Sequence, residues 1–141
     1  MYSIGAVKKA APFLLVRLRK VDLAKIKSND DKNFAFAAAK IAKERNCTDI
    51  IVLDLTGKSP ATDYFIIATS TSDRQGRTVA DEICTESKKF GLRKFGRAGY
   101  EQGRWILIDF VNVVIHIFDS EYRQYYNLEM LWGDAAVLKT D

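Results

Sequence analysis

The sequence predicts one α/β domain in which about five strands form a sheet packed with helices. Three stretches carry that reading: a continuous β-branched run, DIIVLDL; a long capped helix within TSTSDRQGRTVADEICTESKKFG; and two apolar runs, RWILIDF and VVIHIF, separated by two residues. A chain of 141 residues can bury one core of ordinary size but not two. Its 48% hydrophobic and 28% charged residues lie in the range of folding chains, far from the composition of disorder.

The organisation expected is a basic extension over 1–32, a domain over 33–135 and a short tail over 136–141. Residues 1–33 hold eight Lys/Arg against three Asp, a net of +5, whereas the remaining 108 hold fourteen Lys/Arg against fifteen Asp/Glu, a net of −1. Basicity therefore belongs to the extension. A near-neutral body does not predict nucleic acid as the main ligand, although the basic arm could touch RNA. The stretch KKAAPFLLVRLRK is a poor signal peptide and too short to span a bilayer; its richness in Lys/Arg would also suit an organellar transit segment, so a cytoplasmic place is expected with an organelle as the alternative. Cys47 and Cys84 lack C-x-x-C spacing and read as reduced thiols on helical segments.

Along the domain, Ser28 to Asp31 reads as a linker or capping cluster, and the Ala-rich FAFAAAKIAKER predicts a helix over 34–45. Asp49 to Leu55 has the pattern of a strand buried on both faces, and after the turn residues TGKSP, Asp63 to Ser70 reads as a second strand. The next helix starts on Ser72 and Gln75 in S-x-x-Q order, with Asp73 in the positive first turn, and ends where Gly91 can take a left-handed conformation. Val79, Ala80, Ile83, Cys84, Ser87 and Phe90 make its packed face over about five turns. The glycine-punctuated KFGRAGYEQG is expected to hold a short strand or loop. In LEMLWGD, the helical spacing of Leu128, Leu131 and Trp132 points to the core rather than a surface.

The hairpin decides the candidate site. A two-residue turn at Val111-Asn112 pairs Phe110 with Val113, Ile108 with Ile115 and Ile106 with Ile117 on one wholly apolar face. The other face then carries Trp105, Leu107 and Asp109 beside Val114, His116 and Phe118, a mixture unlike a simple core face. His116 is the one histidine of the chain. A catalytic base, a metal ligand, a structural hydrogen-bonding residue and a partner-reading surface are all open to it, and a lone histidine is most often structural. A metal would have to draw on Asp54, Asp63 and Asp109, which stand at strand ends where acids commonly cap turns. Those three aspartates with His116 define the rival enzyme reading, a metal-dependent nucleotidyl-transfer domain, but no D-x-D pair is offered. No G-x-S-x-G elbow is present, and the GKS of residues 57–59 lacks the upstream glycine of a phosphate loop.

Several linked stretches carry a resemblance: DLTGKSPATDYFIIAT, STSDRQGRTVADEI, GRWILIDF followed by VVIHIF, and EYRQYYNLEMLWGDA. In this order and spacing the chain from about Phe34 to Asp134 closely resembles the ribosomal silencing factor family, also called RsfS or Iojap-like proteins. The resemblance implies helices on a mixed sheet, distantly similar to nucleotidyltransferase domains but without a known catalytic role, and no cofactor. It implies binding to the large ribosomal subunit through its ribosomal protein number fourteen, with the small subunit kept from joining and translation lowered in starvation; organelle relatives assist large-subunit assembly. The family's partner-contacting tryptophan falls at Trp105, and an indole beside an acid and a histidine has the anchor-and-polar composition of an interface. Trp105 is therefore the expected anchor, with Arg104, Leu107, Asp109 and His116 as neighbours and Asp73 and Arg74 matching the family's helix start. The competing reading packs Trp105 under a helix of its own domain. The family usually has Gly-Asp where this chain has Val111-Asn112, so the register rests on a turn that valine tolerates poorly. A homodimer of the free protein by sheet-edge pairing is compatible with such a domain, but no residue specifies it.

Overall fold

The structure, a computed structural model, describes residues 29–139. The linker residue Ser28 and the basic extension before it lie outside the described residues. Helix α1 runs Asn29–Glu44, five residues earlier than the alanine-rich stretch suggested. Asp30 and Asp31 fall in its first turn, where the helix dipole favours acids, so the capping cluster is absorbed into the helix itself. Phe34, Ala35, Ala38, Ile41 and Ala42 are buried, the spacing of one helix face.

Six strands follow: β1 (Thr48–Asp54), β2 (Tyr64–Thr69), β3 (Gly96–Ala98), β4 (Trp105–Asp109), β5 (Val113–Phe118) and β6 (Ala136–Leu138). They form one mixed sheet in the order β3-β4-β5-β2-β1-β6. Only β2 and β5 pair in parallel, and every other neighbour is antiparallel. The parallel pair needs a crossover, supplied by helix α2 (Asp73–Ser87), a 3-10 turn at Lys88–Phe90 and the β3–β4 hairpin. The result is an α+β fold with a mixed sheet. β6 was expected to lie in the tail; its three residues instead pair with Val52 to Asp54. Strand β1 is buried on both faces, as its pattern predicts, only in its second half, because a bulge after Thr48 leaves Thr48 and Asp49 exposed.

Helix α2 starts as its sequence says, with Ser72 Oγ accepting the Gln75 N–H at 3.1 Å. The glutamine side chain does not return to Ser72; its oxygen accepts the Thr71 N–H and its amide reaches the Arg45 carbonyl, which ties α2 to the end of α1. Gly91 takes φ +69° beyond the 3-10 turn, and Val79, Ala80, Ile83 and Ser87 are buried. Helices α1 and α2 cover one sheet face, built from Val52, Ile66, Ala68, Ile106, Ile108, Phe110, Val113, Ile115 and Ile117. The register of the hairpin is the expected one, Ile106 against Ile117 and Ile108 against Ile115, with the Phe110 N–H donating to the Val113 carbonyl at 2.8 Å.

The turn itself is strained. Val111 has φ +75°, and the Asn112 N–H donates back to the Phe110 carbonyl at 3.0 Å, the ring closure of a rare γ-turn. Its neighbours hold it there. Asp109 Oδ1 accepts the Val111 N–H at 2.7 Å, Asn112 Nδ2 donates to Asp31 Oδ2 of α1 at 2.9 Å, and the Asn112 carbonyl accepts from the N–H groups of Asp63 and Tyr64, both at 3.0 Å. A β-branched residue in a left-handed conformation is thus fixed by hydrogen bonds from three segments.

The second sheet face carries Leu53, Phe65, Ile67, Trp105, Leu107, Val114 and Phe118, with Leu55 beyond β1 and Leu128 and Trp132 closing over them. Its cover is thin: helix α3 (Ser120–Tyr126), a single turn α4 (Leu128–Leu131) and the edge strand β6. No helix among the described residues is long and apolar enough to cross a membrane.

Candidate functional site

Each residue expected to meet a partner can now be placed. Trp105 is 7% exposed, stacked at a tilt between Phe118 and Tyr126 with ring centroids 4.7 and 4.6 Å away. This corrects the expectation of an outward-facing anchor: the indole packs beneath α3 of its own domain. Leu107, Asp109 and His116 are buried as well, so the polar groups that made this face look solvent-facing have internal partners. Trp105 Nε1 donates to His116 Nδ1 at 3.1 Å, and Asp109 accepts the N–H of the strained turn.

His116 sits opposite Leu107 with Phe65 edge-on at 4.6 Å. Because Nδ1 accepts from the indole, the ring is the neutral tautomer carrying its proton on Nε2, and that atom is buried without a hydrogen-bond partner among the described residues. Burial pushes its pKa down to about 3, since the imidazolium would lose its hydration in an aromatic layer. The unfolded chain therefore takes up the proton first as the pH falls through the ordinary histidine range. The stability that a neutral His116 contributes is complete above about pH 6.5 and is lost as the pH falls toward 3. Between pH 6.5 and 5, urea unfolding of the wild type should lose stability relative to His116→Gln by about 1 kcal/mol per pH unit. Parallel stability profiles would show that the imidazole is not held neutral in the fold.

Arg104, expected beside the anchor, is half-exposed. Its guanidinium lies over the Tyr122 ring at 4.2 Å and bonds Asp119 at 2.6 Å and Glu121 at 3.3 Å. Asp119 has a double task, because its other oxygen caps α3 by accepting the Tyr122 N–H at 2.7 Å. Hydrogen bonding to Asp119 raises the Arg104 pKa further above its ordinary value, so the cation is permanent. Asp73 and Arg74 are exposed in the first turn of α2. A Cβ added at Gly103 would come within 2.8 Å of the Asp73 Cβ, which places this helix start against the turn leading into Arg104 and Trp105.

Sequence reading missed the clamp that holds the cover down. Arg123 donates from Nη1 to the Asp49 carbonyl and, at 2.8 Å, to Thr69 Oγ1, while its Nε lies 3.5 Å from Glu129. Asp49 can offer that carbonyl because it stands in the bulge with φ +49°. These residues line a cleft of about 690 Å³ with Ser120, Gln124 and Asn127. The signal was present in EYRQYY, an arginine among tyrosines, but nothing local told which side would face inward. Trp132 is buried as expected, whereas Leu131 is exposed.

Of five exposed large hydrophobic residues among those described, four lie in this cover: Tyr125, Met130, Leu131 and Val137, with Tyr125 at 80% and Met130 at 75%. Two of the three aspartates of the rival enzyme reading are occupied elsewhere. Asp54 Oδ1 accepts the Thr56 N–H at 2.9 Å and Asp109 braces the hairpin turn. Among the described residues no group of three His, Cys, Asp or Glu side chains is placed to hold a metal ion. Burial raises the Cys47 thiol to about 11, so that buried sulfur is protonated and inert at neutral pH.

An α+β domain whose exposed apolar side chains are concentrated on one thin outer layer offers a surface of the kind through which proteins bind other macromolecules. The chain belongs to the RsfS family, "ribosomal silencing factor during starvation", whose model matches residues 28–141. It is 37% identical over 112 residues to the ribosomal silencing factor RsfS of Bacillus subtilis, covering 79% of this chain and 95% of that one. It is 33% identical over 120 residues to the chloroplastic protein Iojap of Zea mays, covering 81% of this chain and 51% of the maize protein. A crystal structure of a Chromobacterium violaceum protein shares the fold with a TM-score of 0.69 at 31% identity, covering 73% of this chain and 86% of that one.

Proposed function

We propose that this chain binds the large ribosomal subunit through its ribosomal protein number fourteen, covers the surface on which the small subunit docks, and so represses translation. Membership of the silencing-factor family supports the target. The observation that carries the surface is the thin cover of α3 and α4, where Tyr125 and Met130 are exposed, with Arg104 held over Tyr122 of the same α3; these are residue types enriched at protein interfaces. Trp105, Leu107, Asp109 and His116 then act from beneath as the platform that fixes α3, while Arg104, Asp73 and Arg74 meet the partner directly. Bacterial and chloroplast relatives both match; action in the cytoplasm is the reading proposed, with assistance to large-subunit assembly as its organellar counterpart.

Sucrose-gradient sedimentation with separated subunits tests this. Wild type should comigrate with the large subunit and lower the yield of joined ribosomes. Tyr125→Ala/Met130→Ala, which removes only exposed side chains, should weaken that comigration about tenfold or more. Undiminished binding by the double variant would move the interface elsewhere, and wild type left at the top of the gradient would end the proposal.

A further inference from the structure

The body is not evenly charged. Residues 87–100 hold Lys88, Lys89, Arg93, Lys94 and Arg97 and no acid, whereas the rest of 34–141 holds nine Lys/Arg against fifteen Asp/Glu, a net of −6. The fold gathers this island. After α2, the 3-10 turn and Gly91 at φ +69° reverse the chain, the Leu92 N–H returns to the Ser87 carbonyl at 3.0 Å, and the Phe95 N–H joins the Asp109 carbonyl. The loop is thereby folded beside the helix end. Between them lies a cleft of about 490 Å³ lined by Cys84, Thr85, Ser87, Lys88, Leu92, Arg93 and Lys94.

The charges differ in what they do. Lys89 pairs with Glu86 at 3.1 Å and Arg97 with Asp81 at 3.2 Å, Arg97 also lying over the Tyr100 ring. Lys88, Arg93 and Lys94 are exposed, and among the described residues no ion pair engages them. One cation near a helix C-terminus would be explained by the dipole; three converging on one cleft, on an otherwise acidic body, are not. The Thr85 and Ser87 hydroxyls donate inward to backbone carbonyls at 3.1 and 2.7 Å, which leaves the charges to determine what the cleft attracts. Burial raises the Cys84 thiol pKa although Lys94 and Arg97 oppose it, so the cleft is a place for binding anions rather than for nucleophilic chemistry.

We propose that the cleft of Lys88, Arg93 and Lys94 is a second contact with the ribosome and takes the phosphate backbone of RNA. This rests on the ribosome-binding reading and adds to it a surface on the other side of the sheet from the apolar cover. Exposed Lys and Arg without buried base-reading groups are suited to successive phosphates and carry no sequence preference.

The full chain is titrated with a fluorescein-labelled RNA hairpin in a salt series, and in parallel sedimented with large subunits. Lys88→Gln/Arg93→Gln/Lys94→Gln is compared with Lys40→Gln/Lys43→Gln/Lys139→Gln, three exposed lysines elsewhere. The cleft variant should lower the slope of log affinity against log salt by about 2–3 and weaken subunit binding several-fold, whereas the control leaves both close to wild type. Equal slopes for the two variants, or displacement of the RNA by poly-glutamate at the same charge concentration as readily as by unlabelled RNA, would overturn the assignment. Loss of RNA binding in the cleft variant with subunit binding unchanged would confine the cleft to free RNA and overturn its place on the ribosome. Wild type that binds the hairpin but never the subunit would instead remove the silencing reading itself.

Discussion

Trp105→Ala should cost about 3–5 kcal/mol of folding stability, the range for emptying a buried aromatic site. Two losses combine: the indole's contacts with Phe118 and Tyr126, and its hydrogen bond to His116, whose buried Nδ1 would be left without a donor. In a domain whose total stability is of the order of 5–15 kcal/mol, this is a large fraction, and the thermal midpoint should fall by well over ten degrees. Circular dichroism melts or urea titrations measure it. A loss below about 1 kcal/mol would mean that the ring is not packed as described. Reduced ribosome binding by this variant would accordingly report a loosened α3, and only surface variants such as those at Tyr125 and Met130 separate contact from support.

Gly99→Ala ranks next. Gly99 has φ +76°, and a Cβ there would lie 1.9 Å from the Trp105 carbonyl oxygen. Rigid backbone cannot yield as a side-chain tip could. The left-handed conformation costs a non-glycine residue about 1–2 kcal/mol and the overlap about 1–3 more, so a loss of about 2–5 kcal/mol is expected. Gly91→Ala is the control, since it shares a positive φ of +69° but has nothing within 4 Å of the added carbon; it should lose only the conformational part. Equal destabilisation of the two in urea titrations would show that the close approach of β4 to this turn does not matter.

Period-two and period-3.6 patterns made much of this molecule legible. The hairpin register, the Ser72 cap and the packed face of α2 all come from residues whose local preference agrees with the tertiary structure. The covering of the second face was not legible, because α3 and α4 are too short to show a period and β6 is three residues long. Trp105 was misplaced for a related reason. Asp109 and His116 read as signs of solvent, but one is consumed by a strained turn and the other by the indole beside it. The charge of the body misled by averaging: its near-neutral total conceals a basic loop offset by acids scattered over the remainder.

The lid over the aromatic layer is made from residues 120–138, which come after the strands that carry Phe65, Trp105 and Phe118, and synthesis runs from the N-terminus. Until that stretch has left the exit tunnel, the growing polypeptide displays Trp105, Phe65 and Phe118 to solvent with nothing to lay over them. Translation that stalls near Asp119 would release a product bearing a bare sticky face, open to chaperones and proteases. A bulky group attached close behind Leu138 would likewise weigh on an edge strand held by only three residue pairs, so a handle placed away from β6 is the safer choice for measuring this protein.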